Sequence, residues 1–189
     1  MKIERHMRIL FGFIVLAFAG MSSYGQSAGH SFLPSEDGST VGFKIRNLGF
    51  NTDGSFKGLQ GAIVWDAQDP SKDSFDVSID AASVNTDNNT RDDHLKKDTY
   101  FDVEKYPRIR FVSSGVAVAD KDGHYTMTGK LTIKGVTKDI SFRFLATPAG
   151  DDFIFKGSFM ILRRDFGVGG ASTLGNEVTV TLTVLARKI

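Results

Sequence analysis

The sequence has no cysteine and only four histidines. The first absence excludes disulfides, a thiolate nucleophile and thiolate metal ligands, even in a compartment that would allow oxidation. No H-E-x-x-H pair occurs, so the common local signature of zinc proteases is missing too. A surplus of one charge sign is also lacking, with 23 Lys+Arg against 22 Asp+Glu. That argues against nucleic acid as a partner, since such binding usually shows as a basic surplus on one face.

Long apolar runs are equally scarce. The main one, residues 9–20, follows Lys2, Arg5 and Arg8 and precedes the small residues Ser23 and Gly25. It is shorter than the roughly 20 residues of a membrane-spanning helix and has the order of a secretory signal. Residues 1–25 are therefore read as a cleaved signal peptide and residues 26–189 as one periplasmic or secreted domain. Without that signal the charges stand at 20 basic and 21 acidic residues. With no disulfides, stability must come from a hydrophobic core, and a chain of roughly 165 residues is long enough to bury one.

What the sequence does contain is alternation. In "STVGFKIRN" Val41, Phe43 and Ile45 alternate with polar residues; in "SFDVSIDAAS" Phe75, Val77 and Ile79 do the same. The stretches "GSFKGLQGAIVWD", "RIRFVSSGVAVA", "YTMTGKLTIKG", "KDISFRFLA", "FIFKGSFMILRR" and "EVTVTLTVLARK" continue the pattern, separated by short turns such as Asp122-Gly123. This is the period of strands with one wet face, joined as hairpins. About eight such strands predict an all-β, eight-stranded antiparallel barrel, since closure removes the exposed edges that a sandwich would leave. Inward Phe, Ile and Val either fill such a barrel or line a ligand cavity. Trp65 fits the wall of a tunnel or its closed end equally well. Gly58, Gly61, Gly129 and Gly157 lie within strand patterns, where glycine marks a bend, a bulge or a close approach.

Only residues 85–106 break the alternation. This polar connection between strands 3 and 4 can form one or two helical turns over residues 91–101, and Pro107 ends anything helical. It carries the densest polar cluster, Arg91, Asp92, Asp93 and His94. Catalysis would need a base, an orienting partner and a nucleophile or metal at one point. The other histidines of the mature chain, His30 and His124, fall in the N-terminal tail and a turn. The structural reading is the stronger one: Thr90 or Asp92 caps a short helix, Arg91 binds a carboxylate or carbonyls, and Leu95, Tyr100 and Phe101 pin the segment across one barrel end as a clasp.

The series "GSFKGLQG", "ASVNTDNNTRDDHLKKDTYFDVEKYPRIRFVSS", "GKLTIKGVTKDISF" and "RRDFGV" closely resembles the YceI-like family of exported bacterial proteins, from about Phe32 to Ile189. The most specific part is the connection, with Ser83, Thr86, Arg91, Asp92, His94, Leu95, Phe101, Tyr106, Pro107 and Phe111. One departure is Asn47, where many members carry histidine. The resemblance implies a lipocalin-like barrel that sequesters a polyisoprenoid lipid, an isoprenoid quinone or prenyl phosphate, without catalysis, metal or a further cofactor. It implies membrane proteins that exchange the lipid as partners, and in some members a homodimer. The tunnel lining expected on this basis is Phe43, Ile45, Phe56, Ile63, Trp65, Phe75, Val77, Ile79, Phe111, Leu131, Phe142, Phe144, Phe155 and Phe159. The expected clasp is Arg91, Asp92, His94, Leu95 and Phe101, with Arg163. Ten-residue strands tilted by about 40° give a barrel near 25 Å tall, room for about five isoprene units in a straight tunnel. An enzyme acting on an isoprenoid phosphate, or a barrel with a filled core, are the alternatives.

Overall fold

The computed structural model describes residues 29–189, so the expected signal peptide lies outside the described residues. The strands are β1 (His30–Asn47), β2 (Phe50–Phe56), β3 (Gln60–Trp65), β4 (Ser74–Asp80), β5 (Arg108–Val118), β6 (His124–Ile133), β7 (Val136–Ala149), β8 (Asp152–Leu162) and β9 (Leu174–Lys188), with one α-helix, α1 (Asn89–Leu95), between β4 and β5. Neighbours pair antiparallel in the order β2-β1-β3-β4-β5-β6-β7-β8-β9, and β1 also pairs with β9, which closes the sheet.

Strands β2 and β3 share one edge of β1, β2 along residues 41–47 and β3 along residues 30–32. Together they occupy a single position around the wall, so the nine strands make the expected eight-stranded antiparallel barrel. The stretch "GSFKGLQGAIVWD", read as one strand, breaks at residues 57–59. Gly58 there has φ +71°, and a Cβ on it would lie 2.8 Å from the Asp80 Cβ. The backbone groups of the break bond outside the ladder: Lys57 N–H donates to Ser83 Oγ at 2.7 Å, and Leu59 N–H to Glu36 Oε2 at 2.8 Å. His30 belongs to β1 rather than to a tail. The register of β1 shifts between Ser35 and Thr40, where "SEDG" interrupts the alternation that would have revealed the strand's N-terminal half.

The barrel has two unlike halves. At the closed end Phe32, Ile63, Trp65, Phe75, Tyr125, Phe144 and Phe155 are buried in one cluster. Trp65 is 1% exposed and meets the rings of Tyr125 at 4.7 Å and Phe155 at 5.2 Å, both edge-on, the arrangement that ring quadrupoles favour. Inward glycines make space for neighbouring rings: a Cβ on Gly129 would stand 2.5 Å from Phe111 Cζ, and one on Gly157 3.3 Å from Phe144 Cβ.

At the other end the wall spreads. β7 and β8 pair only through residues 144–149 and 152–157, and residues 136–143 and 158–162 run on without pairing to each other. β2 touches the connection after β4 through a single bridge, Ser55 with Asn85. Side chains fill these gaps, notably Phe142 stacked on Phe159 at 4.6 Å. The hairpin between β1 and β2 also projects at this end. Its central residues Leu48 and Gly49 both have positive φ, 49° and 86°, the primed turn that fits strand twist. For a leucine the left-handed conformation costs roughly 1–2 kcal/mol.

Candidate binding cavity

The spread half of the barrel encloses a cavity of about 590 Å³, within the ~300–1,000 Å³ range usual for small-molecule sites. Its wall is built from the alternating positions of successive strands: Val41, Phe43 and Ile45 of β1, Val77 and Ile79 of β4, Ile109 and Phe111 of β5, Leu131 and Ile133 of β6, Phe159 and Ile161 of β8, and Val178, Val180, Leu182 and Val184 of β9. The polar residues Asn47, Thr52, Asn88, Thr90, Arg91, His94, Ser172 and Thr173 border the same space. All of these come from the β1–β2 hairpin, the β4–β5 connection and the loop before β9 and mark the mouth, while Ser78 of β4 and Arg110 of β5 border the space farther along the wall.

Of the residues expected to line a tunnel, Phe43, Ile45, Phe56, Val77, Ile79, Phe111, Leu131, Phe142 and Phe159 border the cavity. Ile63, Trp65, Phe75, Phe144 and Phe155 do not; they belong to the aromatic plug of the closed end. The straight tunnel through the whole barrel is therefore corrected to a blind cavity in one half. Alternation shows which side of the wall a residue faces but not how deep along the axis it sits. The lining from β9 escaped the residue-level expectation, although "EVTVTLTVLARK" carries the same alternation.

The connection crosses the mouth and is tied down at several points. The α1 N-cap is Asn88, whose side chain accepts from Arg91 N–H at 2.9 Å; Thr90 lies inside the helix, and Asp92 serves elsewhere. The helix ends at Leu95, shorter than the 91–101 span, and turn hydrogen bonds such as Phe101 N–H to Leu95 O at 3.0 Å carry the chain onward. Buried Asp92 accepts from Thr86 N–H at 3.0 Å and from the Thr86 hydroxyl. Arg91 closes the same loop by donating to Thr86 Oγ1 at 2.7 Å and Thr86 O at 2.6 Å. Beyond the helix, Phe101 meets Phe56 edge-on at 5.4 Å. Gly169 N–H donates to Thr99 O at 2.8 Å, and the Tyr106 ring lies against Gly135, where a Cβ would be 2.5 Å away.

Arg163 organises the opposite lip. It is 4% exposed and donates to the carbonyls of Gly175 (2.8 Å), Val168 (2.6 Å) and Leu174 (2.8 Å), with a longer contact to Gly170 at 3.2 Å. Burial, then the neighbouring Arg164, lowers its pKa from the usual arginine value. Its planar fork is thus spent on shaping the loop of residues 167–175. Among the described residues, no group of three or more His, Asp or Glu side chains is placed to hold a metal ion.

Because Asp92 satisfies two donors of the loop at once, Asp92→Ala should loosen the connection without unfolding the barrel. The loss of a cap-like acceptor costs about 1–2 kcal/mol, so amide exchange over residues 85–106 should quicken roughly 5- to 30-fold. Unchanged protection there would refute the clasp.

Comparison with known proteins places this architecture. The profile of the YceI-like domain matches residues 34–186. The chain belongs to the YceI-like family. Protein YceI of Escherichia coli O6:H1 is 34% identical over 142 residues, 72% of this chain and 73% of that protein. The UPF0312 protein plu2095 of Photorhabdus laumondii is 40% identical over 102 residues, and there this chain spans about half of the relative's length, 52%. Among solved structures, Burkholderia cenocepacia BcnA superposes with a TM-score of 0.76 at 27% identity, over 80% of this chain and 98% of that one. A polyisoprenoid binding domain from Saccharophagus degradans, at 14% identity, shares the fold with a TM-score of 0.71 over 85% of this chain and 99% of that one. The YceI-like barrel is thus common to proteins of quite different sequence.

Proposed function

We propose that the protein is an exported carrier or sequestering protein that holds the tail of a long polyisoprenoid lipid in the cavity and its head group at the mouth. The observation that carries this reading is the blind, apolar-walled cavity of about 590 Å³ with polar side chains gathered at its mouth. The polyisoprenoid binding domain that shares the fold supports the choice of ligand. If each tail carbon takes about two thirds of the ~30 Å³ a water molecule fills, the cavity holds roughly five or six isoprene units. Burying about 25 carbons at ~0.8 kcal/mol each comes near the ~20 kcal/mol ceiling of non-covalent binding before ordering costs are subtracted. Retention thus comes from the tail. Selection falls to the mouth, where Arg91, His94 and Asn47 can donate hydrogen bonds to a quinone oxygen or a phosphate.

The polar groups of the mouth are arranged for recognition rather than catalysis. Asp92 Oδ1 accepts from Thr86, and Arg91 gives its Nε–H and one Nη2–H to the same residue while keeping further N–H donors for a head group, so neither serves as a base oriented by a partner.

Native mass spectrometry of the gently purified protein, followed by lipid extraction, tests the reading. A co-purifying isoprenoid at up to one per chain is expected. An empty protein that takes up neither a quinone nor a prenyl phosphate would refute it, and a processed lipid would replace carriage with an enzyme.

A further inference from the structure

We infer that the β1–β2 hairpin tip is a membrane-docking element that seats the cavity mouth on a lipid bilayer; the inference rests on the lipid-carrier reading. Leu48 and Phe50 are 72% and 78% exposed, and they flank the tip of the hairpin whose pair Asn47↔Phe50 closes the ladder. Leucine at the first central position of a primed turn is unfavourable, where asparagine or aspartate before glycine is preferred. Yet Leu48 has φ 49° and gains no packing in return. Local folding therefore does not account for either side chain, and a role outside the fold does.

The position of the tip identifies the occupant. Asn47 and Thr52, directly below it on either strand, border the cavity. Val136, at the start of β7, and Leu162, at the end of β8, are further exposed apolar residues at this end. Two side chains on a convex turn bury far too little area for a stable protein partner, which needs roughly 1,200 Å² or more in total. They suit insertion into the boundary between head groups and acyl chains, about 5–10 Å deep. A bilayer is also where an isoprenoid must be collected or delivered. Exposed Arg46 precedes the tip on β1 and can meet lipid phosphates as it inserts, whereas exposed Lys44 pairs with Asp53 of β2 at 3.5 Å.

The single tryptophan, Trp65, is buried in the plug, so Phe50→Trp places an environment-sensitive reporter at the tip over a constant background. With vesicles of phosphatidylethanolamine and phosphatidylglycerol, the added emission should shift to the blue and be quenched by lipids carrying a nitroxide near the head group. Adding Leu48→Asn, which suits the turn better, should keep or raise thermal stability while weakening partitioning about tenfold, as expected for one leucine side chain. Emission unmoved by saturating lipid, or quenching indifferent to Leu48→Asn, would overturn the inference. So would a blue shift that grows with protein concentration in the absence of vesicles, which would mean that a second copy covers the tip. The readout needs no cargo. A protein that docks but carries no isoprenoid refutes the carrier and keeps the docking tip, while one that carries isoprenoid without docking does the reverse.

Discussion

Trp65→Ala should destabilise the barrel by about 3–5 kcal/mol, the usual cost of emptying a packed aromatic site, with little change in the ligand accepted. Val180→Trp should do the opposite. Trp65 is 1% exposed and surrounded by Phe75, Tyr125, Phe144, Phe153 and Phe155, so its removal leaves a void that rigid neighbours cannot fill. Val180 faces the cavity, directly between Phe43 of β1 and Phe159 of β8. Extra volume there enters empty space and escapes most of the roughly 1–3 kcal/mol that overpacking a filled core costs, but it shortens the tail that fits. Denaturant unfolding with and without lipid, together with mass analysis of the bound tail, checks both halves. A loss of stability from Val180→Trp as large as that from Trp65→Ala would mean that the spread end is packed like the plug.

Stability should fall as pH rises from about 4 to 7 and then level off, and Asp73→Asn should remove most of that slope. Asp73 is 6% exposed at the closed end. Burial raises its pKa to about 7, aided by the negative Asp66 and Asp69 and opposed by the hydrogen bond from Asp66 N–H, which is 2.6 Å long. Its second oxygen, Oδ2, is buried without a hydrogen-bond partner. Because the folded pKa lies above the unfolded one, the folded chain holds a proton that the unfolded chain has released throughout that window. The protonated form favours folding, and its advantage disappears as pH climbs through the folded pKa. Three pKa units correspond to a cost on the order of 4 kcal/mol for ionised Asp73 above pH 7. Asparagine keeps an acceptor for Asp66 N–H and cannot ionise. The advantage of Asp73→Asn should therefore be small near pH 4 and large at pH 8; a difference between variant and parent that stays constant across this range would refute the assignment.

Residues 174–188 show how far the sequence reaches. Val178, Val180, Leu182 and Val184 alternate with polar neighbours, and all four face the interior. The same signal in β4 and β7 assigns Phe75, Val77, Phe142 and Phe144 to the inner face. But Val77 and Phe142 reach the cavity while Phe75 and Phe144 enter the plug. The period of two is blind to this difference, because depth along the axis depends on strand stagger and tilt, set only when distant strands pair. The N-terminal half of β1 was hidden for a related reason, since Phe32 is the only buried residue of its first ten positions and β9 and β3 hold that half in the sheet.

By itself, then, the sequence determined the all-β class, the number of barrel positions, the inward face of most strands and the special character of the β4–β5 connection. All of these follow from local periodicity and turn chemistry, which need only near neighbours. Tertiary structure alone decided that one half is filled by rings and the other is hollow, that Asn88 rather than Thr90 or Asp92 caps α1, that Asp92 and Arg91 both close on Thr86, and that Arg163 binds carbonyls across the lip. Each depends on groups brought together by barrel closure, and a side chain's partner is fixed by where the wall carries it rather than by its place in the chain.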